Sequence, residues 1–459
     1  MTFTSTPTCD PRQTSPVFQT ERITLLDSLR GIAVLGILLM NITPFGMPWI
    51  SVFDLSVLNE LNGPNLMSWL IIDLTVEGTQ RALFSMLFGA GMLMFITRLE
   101  NKHAGIVPVE LYFRRQMWLL VFGLINTYIF LWFCDILFIY AICGMLLFVF
   151  LRMSAKGLFI AAAICLLLGT ARQNLDLYRN KWTINSGEQI AQLGSATTVL
   201  TDSEKDKLSA MRGLKEKASV ESKKKIYDQQ LRNGRGSLAE VYDLNSNIGM
   251  RMHTTTFYNF FIWDVLMFML LGMAFFKSGI LTGQHGVKTY WWLAVGGLGI
   301  GVTMSWFRLN ELLYFEFNAY DKAREATFES YPLQRAFRAV GFLGLIMLLY
   351  KAPWFRWFFA PMRPVGQMAF SNYLMQSIIC GWLFYGVGLG LFGTLQRYEL
   401  FYVVGPVWGF QIVLSHIWMK YFCFGPFEWL WRSLTYWKLQ PMRKAPKIGE
   451  VPPYRPQRV

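Results

Sequence analysis

Ten apolar runs dominate the sequence, and runs of about 17 residues or more restrict a chain to few kinds of fold. A hydrocarbon core about 30 Å thick is crossed by roughly 20 apolar residues in a helix. Hydrophobic residues make up 53% of the chain, charged residues only 16%, and the mean hydropathy is +0.33. This composition excludes an ordinary soluble domain and predicts an all-α, polytopic transmembrane helix bundle of about ten spans. The runs lie at 27–47, 81–98, 116–133, 135–151, 157–171, 257–276, 289–307, 334–351, 365–391 and 399–420, and the fifth, with 15 residues, is short for a span.

Charges in the connections between the runs predict how the bundle is oriented. Short cytoplasmic loops carry an excess of Lys and Arg. One side of the bundle carries the basic residues of the connections 98–115, 152–156, 277–288 and 351–363, whereas the acidic stretch 309–331 falls on the other side. We therefore expect both termini to be cytoplasmic (N-in/C-in).

The formal net charge of +14 comes largely from those loops and from the C-terminal tail. Basic residues next to spans attract anionic headgroups and set insertion topology. We therefore expect the partner to be a lipid bilayer with anionic headgroups, and no nucleic acid.

The same patterns predict five parts of the chain. Residues 1–20 are expected to be a disordered cytoplasmic leader, 21–171 the N-terminal transmembrane half and 256–420 the C-terminal half. Between them, 172–255 is expected to be an extracytoplasmic helical insertion, and 421–459 an interfacial helix with a basic tail. The insertion has few large apolar side chains, so we expect a solvated helical hairpin on the outer face or, alternatively, a lid or partner-docking element. Thr201 and Glu204 in it have the spacing of a capping box.

The segment 64–79 and the cysteines add two expectations. The segment is apolar but carries Asp73 and Glu77, so it is expected to be an outer-surface or re-entrant piece rather than a full span. None of the six cysteines forms a CxxC pair, which indicates neither a disulfide framework nor a metal site.

The first apolar run carries two polar residues on one face. Arg30 and Asn41 are eleven residues apart, about three helical turns or ~16 Å along the axis. Polar groups at this depth usually face a cavity or a partner, and Asp27 is spaced to pair with Arg30. The alternative is that Arg30 anchors the inner interface and Asn41 hydrogen-bonds a neighbouring helix.

Further polar residues lie inside or at the ends of other runs. Asn372 and Gln376 are four residues apart in GQMAFSNYLMQS, and Glu77 and Arg81 open the second run, before FSMLFGAG. In that block Ser85 and Gly89 are spaced to let a neighbouring backbone approach closely. Asp264 is a carboxylate well inside the sixth run and needs a proton or a cationic partner. Each of these side chains is a candidate for a site, and each could instead serve helix packing.

Four blocks carry a resemblance to a known family: LDSLRGIAVLGILLMNI, FSMLFGAG, GQMAFSNYLMQS and FGPFEWLWRSLT. In this order they resemble the YeiB-like bacterial membrane proteins, known as domain of unknown function 418 (DUF418). The resemblance implies a multi-pass bundle of about ten helices in the bacterial inner membrane, with no established reaction.

The first block is also similar to the opening of two types of membrane acyltransferase, acyltransferase-3 and heparan-alpha-glucosaminide N-acetyltransferase. This similarity implies transfer of an acyl group, from acyl-CoA or another donor, to a sugar or similar hydroxyl or amine acceptor. For this chain we expect the acceptor to be extracytoplasmic or lipid-linked. The acyltransferase-3 type has its catalytic histidine eleven residues after the arginine, where this chain has Asn41. Asparagine cannot take a proton from a hydroxyl, so a base must come from elsewhere.

The candidate site follows from these residues. The remaining candidates for a catalytic base are His253, His416, Asp264 and Glu77. The candidates for substrate binding are Arg30, Asn41, Asn372, Gln376 and Arg81. His103 and His285 fall in predicted cytoplasmic loops and are not candidates.

Two other functions remain open on the sequence alone. A transporter or permease for a small metabolite or lipid would use the same polar residues to line its path. A non-enzymatic scaffold or regulator would need none of them and would present the insertion to a partner.

Overall fold

A computed structural model describes residues 24–102, 104–194 and 200–444. The predicted leader 1–20, His103 and the tail from 445 onward lie outside the described residues. Within the described ranges the chain forms helices and no strand. The α-helices are α1 Thr24–Gly46, α2 Trp49–Val52, α3 Gly63–Thr75, α4 Thr79–Lys102, α5 Val107–Tyr128, α6 Leu137–Leu147, α7 Ala155–Gly194, α8 Asp202–Ala218, α9 Val220–Arg235, α10 Leu238–Arg251, α11 Ile262–Lys277, α12 Val287–Tyr314, α13 Ala319–Glu325, α14 Tyr331–Lys351, α15 Arg356–Gln367, α16 Ala369–Phe384, α17 Arg397–Tyr421 and α18 Pro426–Tyr436.

Six helical stretches of the described chain are long and apolar enough to cross a membrane. They coincide with six of the predicted runs, and α5, α6, α12 and the pair α15 and α16 cover the other four. The chain is therefore a polytopic helical membrane protein, as predicted. The number of ten spans stays a prediction.

The connections between helices define two ends of the bundle. At one end the ammonium groups of Lys277 and Lys351 donate to the carbonyl oxygens of Leu151 and Gly283, both at 2.9 Å. We call this the basic end. The opposite end carries α8, α9 and α10, and we call it the insertion end.

Helix α1 contacts α4, α15, α16 and α17 and forms the centre of the bundle. Its backbone lies against α15, because a Cβ atom added at Gly366 would stand 1.7 Å from the carbonyl oxygen of Asp27. Helices α4 and α11 meet in the same way at Gly89, where an added Cβ would stand 2.2 Å from the Met269 carbonyl oxygen. The close approach predicted from the FSMLFGAG spacing is confirmed.

The structure divides the predicted run 365–391 into two helices. Helix α15 contains Pro361 and Pro364 and ends at Gln367, and α16 begins at Ala369. Proline cannot donate a backbone hydrogen bond. The N–H groups of Phe370 and Ser371 at the start of α16 are capped by Glu428 of α18, 58 and 57 residues further along the chain.

Helices α3 and α4 form one apolar stretch broken by a buried turn at residues 76–78. Helix α3 has 13 residues and a length of ~20 Å, shorter than a ~30 Å hydrocarbon core. This length agrees with the prediction that the segment 64–79 is not a full span. Gly78 adopts a φ of +72°, which favours glycine and turns the chain into α4.

The insertion packs on its end of the bundle through polar contacts. The Lys223 ammonium group lies 2.7 Å from the Asp54 carboxylate and donates to the Phe317 carbonyl oxygen at 3.0 Å.

The predicted capping box is present at the start of α8. The Thr201 hydroxyl and N–H both donate to the Glu204 carboxylate. These hydrogen bonds hold the pKa of Glu204 below its ordinary value.

Helices continue across both predicted boundaries of the insertion. Residue 172 lies inside α7, and α10 runs through a π-helix at Met252–Phe261 into α11. The insertion is therefore joined rigidly to the bundle at both ends.

Candidate functional site

A cavity of about 240 Å³ opens at the basic end, among α1, α4, α5 and α18. Its wall is rich in guanidinium groups and includes two carboxylates and an amide. The polar residues in its lining include Asp27, Arg30, Arg98, Arg115, Gln367, Glu428 and Arg432.

The two carboxylates of this basic-end cavity are already engaged. Glu428 accepts hydrogen bonds from the backbone N–H groups of Phe370 and Ser371, at 2.7 and 3.0 Å, and so caps the N-terminus of α16. Asp27 accepts from Arg30 and from the Gln367 amide, both at 3.3 Å. Four guanidinium groups against two engaged carboxylates leave a positive surplus, which suits an anionic ligand.

Arg115 is a cation of this cavity that lies between aromatic rings. Its guanidinium group stacks on the ring of Trp431 at 3.6 Å and lies 5.0 Å from the ring centroid of Phe95. Its Nε atom is buried and makes no hydrogen bond within the described structure. The α18 block FGPFEWLWRSLT therefore builds one wall of the cavity.

A second cavity, of about 470 Å³, opens at the insertion end. Aromatic and aliphatic side chains form much of its wall, among them Trp49, Phe53, Phe260 and Phe261. Its polar lining includes Asn41, Asp73, Glu77, Gln80, Arg81, Asp135, Arg308, Lys322, Glu329 and Tyr331.

The broken helix places two carboxylates in this insertion-end cavity. The Asp73 oxygens accept from the guanidinium group of Arg308 at 2.7 and 2.8 Å. Arg338 donates to the Glu77 carboxylate at 3.0 Å, to its carbonyl oxygen at 2.7 Å and to the Asp73 carbonyl oxygen. The buried guanidinium group of Arg338 thus supplies hydrogen bonds to the Asp73 and Glu77 carbonyl oxygens, where the helix α3 ends.

Asp264 lies behind the same cavity and has two cationic partners. It forms an ion pair with Arg335 of α14, and its carboxylate lies 3.6 Å from Arg81 of α4. The carboxylate in the sixth run therefore has the cationic partner that the sequence analysis required.

The two cavities come close together along α4. Phe84 lines the basic-end cavity and Arg81 the insertion-end cavity, only three residues or ~4.5 Å earlier on the helix. The ring of Tyr140 fills the space between, with centroids 5.9 Å from Phe84 and 5.2 Å from Phe88. Its hydroxyl lies 2.6 Å from the Ser85 hydroxyl. About one turn of helix and this aromatic layer separate the cavities.

Comparison with known proteins places this architecture in a family. Residues 275–438 match the family described as "Protein of unknown function (DUF418)". The chain is 31% identical over 441 residues to the uncharacterized protein YxaH of Bacillus subtilis (strain 168), covering 94% of this chain and 99% of that protein. The chain belongs to the YeiB-like DUF418 family.

A further relative of this DUF418 protein is the uncharacterized protein YeiB of Escherichia coli (strain K12), 29% identical over 421 residues, or 90% of this chain and 96% of that protein. Another is an uncharacterized 39.9 kDa protein in the amylase 3′ region of Bacillus acidopullulyticus, 25% identical over 92% of this chain and 96% of that protein. No solved structure matches the chain.

The residues predicted for the site of this DUF418 protein fall into three groups: one at the basic-end cavity, one at the insertion-end cavity and one outside both cavities. Arg30 lines the basic-end cavity, whereas Asn41, Glu77 and Arg81 line the insertion-end cavity. Asp264 joins the second group through its contact with Arg81. The two polar residues of α1 thus face different cavities rather than one.

Asn372 and Gln376 lie outside both cavities and connect helices. The Asn372 amide donates to the Val365 carbonyl oxygen at 3.1 Å, and the Gln376 amide donates to the Val34 carbonyl oxygen at 3.1 Å. Both side chains are buried. Their contacts are those of helix packing, the alternative that the sequence left open.

The two candidate histidines do not line either cavity. His253 is buried, and its ring stacks on Phe138 at a centroid distance of 4.1 Å. His416 is exposed, and its Nδ1 atom lies 2.8 Å from the carbonyl oxygen of Ile412 in its own helix. Their positions in the fold argue against a role as base.

Sequence reasoning missed several residues of both cavities. Arg98 ends one apolar run and Arg115 directly precedes the next. Basic residues at the ends of runs usually reflect membrane topology, so neither arginine was a candidate for the site. Arg335 and Arg338 lie within the eighth run and line neither cavity, but their guanidinium groups pair with Asp264 and Glu77. An arginine inside an apolar run was the available signal. Among the described residues, no group of three metal-ligating side chains could hold an ion.

Proposed function

We propose that this DUF418 protein is an acyltransferase of the bacterial inner membrane, which moves an acyl group from acyl-CoA to an extracytoplasmic or lipid-linked acceptor. The observation that carries the proposal is the pair of cavities, which open at opposite ends and approach within about one turn of α4. In the orientation predicted from the loop charges, the basic end faces the cytoplasm, where acyl-CoA is present.

The basic-end cavity supplies chemistry suited to the donor. A CoA thioester carries phosphate groups, which arginine side chains bind through paired N–H donors. Arg30 and Arg115 lie in the same cavity with two further arginines, and Gly91 leaves room beside the Arg30 guanidinium group. The thioester arm would then run along α4 toward Phe84, while the phosphates stay at the basic end.

The insertion-end cavity supplies groups suited to an acceptor. Asn41 and Gln80 present amides that can hydrogen-bond hydroxyl or carbonyl groups. Glu77 and Asp264 have arginine partners that occupy their oxygens, so in this proposal they fix the arginines in place. Trp49 and Phe53 provide an apolar wall against which a substrate can pack.

A transporter is the second candidate, and one observation favours it. Broken helices inside a membrane commonly line the substrate site of secondary transporters. The turn between α3 and α4 is such a break, and Glu77 lies in it next to a cavity. In this alternative the aromatic layer around Tyr140 would be a gate rather than a barrier to the CoA moiety.

A double-label experiment separates the candidates. The protein is reconstituted in proteoliposomes made from bacterial lipid extract and given acetyl-CoA with one radiolabel on the acetyl group and a different label on the CoA moiety. An acyltransferase transfers the acetyl label to lipid or to the opposite compartment and leaves the CoA label behind. Movement of both labels together supports transport, and movement of neither contradicts the acetyl-CoA form of the proposal.

Two variants make this experiment specific. Arg30→Ala removes one cation from the basic-end cavity and is expected to slow the transfer of the acetyl label about tenfold or more when acetyl-CoA is below saturation. Arg152→Ala removes a cation at the same end whose side chain is 92% exposed and lies outside the cavity, so transfer is expected to be unchanged.

A further inference from the structure

Asp135 differs from the other carboxylates of the insertion-end cavity. Asp73, Glu77 and Glu329 each have a cationic partner, at 2.7, 3.0 and 2.8 Å. Asp135 is only 2% exposed and forms no ion pair with any residue that the structure describes. It begins the turn into α6, in a part of the sequence that gave no earlier candidate.

Neutral donors hold the Asp135 carboxyl group in place. The Asn126 amide and the Phe138 N–H donate to it at 2.8 Å each, and the Tyr373 hydroxyl donates at 3.3 Å. Tyr373 belongs to the GQMAFSNYLMQS block, so this block contributes to the site through its tyrosine. A buried carboxylate without a cation is costly inside a membrane, and such groups commonly take up and release protons.

We propose that Asp135 is the base that takes the proton of the acceptor hydroxyl, and this inference rests on the proposed acyl transfer. The hydroxyl oxygen attacks the carbonyl carbon of the thioester, so that a C–O bond forms and the C–S bond breaks. Asp135 takes the hydroxyl proton, and the departing thiolate is protonated as the carboxylate is restored. Donor, acceptor and proton balance without a further reactant.

The position of Asp135 agrees with this role. It lines the insertion-end cavity two residues before α6 begins, whereas Tyr140 lies within that helix, so Asp135 is on the insertion side of the layer that separates the cavities. Other titratable or charged groups nearby are Cys134 beside it, Tyr373 on α16, Arg81 on α4 and His253 on the π-helix.

Infrared difference spectroscopy of the protein in nanodiscs tests whether Asp135 exchanges a proton, with protons as the only probe. Wild-type protein is expected to gain a protonated carboxyl band on acidification that Asp135→Asn lacks. The control Asp206→Asn removes an exposed carboxylate of α8 and should retain the band. Superimposable spectra of wild type and Asp135→Asn would overturn the inference.

A second variant keeps the test valid if Asp135→Asn does not fold. Tyr373→Phe removes one donor to the charged carboxylate but leaves the carboxyl group itself. Hydrogen bonds to the charged form favour it, so the band should titrate at higher pH in this variant. An unchanged midpoint would count against Asp135 as the titrating group.

The double-label assay then separates this inference from the function on which it rests. Loss of a general base typically costs about 10²–10⁴-fold in rate. Asp135→Asn is therefore expected to bind acetyl-CoA like wild type and to transfer acetyl at least ~100-fold more slowly. Transfer at the wild-type rate in Asp135→Asn overturns the role of Asp135 alone. Failure of the wild-type protein to transfer at all overturns the proposed function.

Discussion

At the residue scale, Arg338 shows how a membrane helix can break without leaving backbone groups unsatisfied. Its guanidinium group reaches the carbonyl oxygens of Asp73 and Glu77 and also the Glu77 carboxylate, and it is 1% exposed. Lipid offers no hydrogen bonds to such groups. The turn between α3 and α4 therefore depends on one side chain from α14.

Arg338→Met keeps much of the side-chain volume and removes the charge and the donors. We expect it to lower the free energy of unfolding by about 3–5 kcal/mol, because Glu77 would remain buried without its partner. Unfolding of the purified protein in mixed detergent micelles measures this difference. Arg324→Met, which removes an arginine whose side chain is 42% exposed on α13, should leave the stability nearly unchanged. Equal effects of the two variants would contradict the account.

The sequence singled out some residues that line the two cavities, but it could not predict their partners. Arg30, Asn41, Glu77 and Arg81 stand out because polar groups are costly inside apolar runs. The partner of Glu77 is 261 residues away in the chain, and no local spacing indicates that contact. Asp135 was not predicted as a site residue, because it lies at the edge of an apolar run, where carboxylates are common.

At the scale of elements, close helix contacts position the polar side chains. Gly366 of α15 lies against the backbone of α1 beside Asp27, and both helices line the basic-end cavity. A side chain larger than hydrogen at this position would have to push α15 away from α1. The geometry of Asp27 and Arg30 therefore depends on a glycine that touches neither charge.

Gly366→Ala tests this dependence. The added Cβ atom would stand 1.7 Å from the Asp27 carbonyl oxygen, so we expect a loss of stability of about 1–3 kcal/mol. Gly299→Ala, on α12, adds the same atom where no other atom lies within 4 Å. That control should be neutral or stabilising by roughly 0.5–1 kcal/mol. Thermal unfolding of both variants measures the contrast, and a neutral Gly366→Ala would show that the contact can relax freely.

Element boundaries followed from the sequence where local signals set them. The apolar runs, the α8 capping box and the close contact at Gly89 were all predicted from spacing. The division between α15 and α16 was not, because the Glu428 carboxylate that caps α16 comes from a distant helix. By composition alone, residues 365–391 form a single apolar run.

At the scale of the whole molecule, α1 runs past two cavities of different chemistry. The basic-end cavity has a surplus of arginines, whereas most charges of the insertion-end cavity are paired with one another. The sequence predicted that Arg30 and Asn41 share a helix face. Only the arrangement of α4, α5, α6 and α18 around that face divides it between two cavities.

In the proposed function the basic-end cavity binds an acyl-CoA donor, and calorimetry with acetyl-CoA and longer acyl-CoAs on the protein in nanodiscs measures that binding. We expect saturable binding to wild type, the same affinity for Arg152→Ala, and a dissociation constant raised about tenfold or more for Arg30→Ala, equivalent to ~1.4 kcal/mol. Binding that Arg30→Ala leaves unchanged, or no binding of any acyl-CoA to wild type, would contradict this expectation.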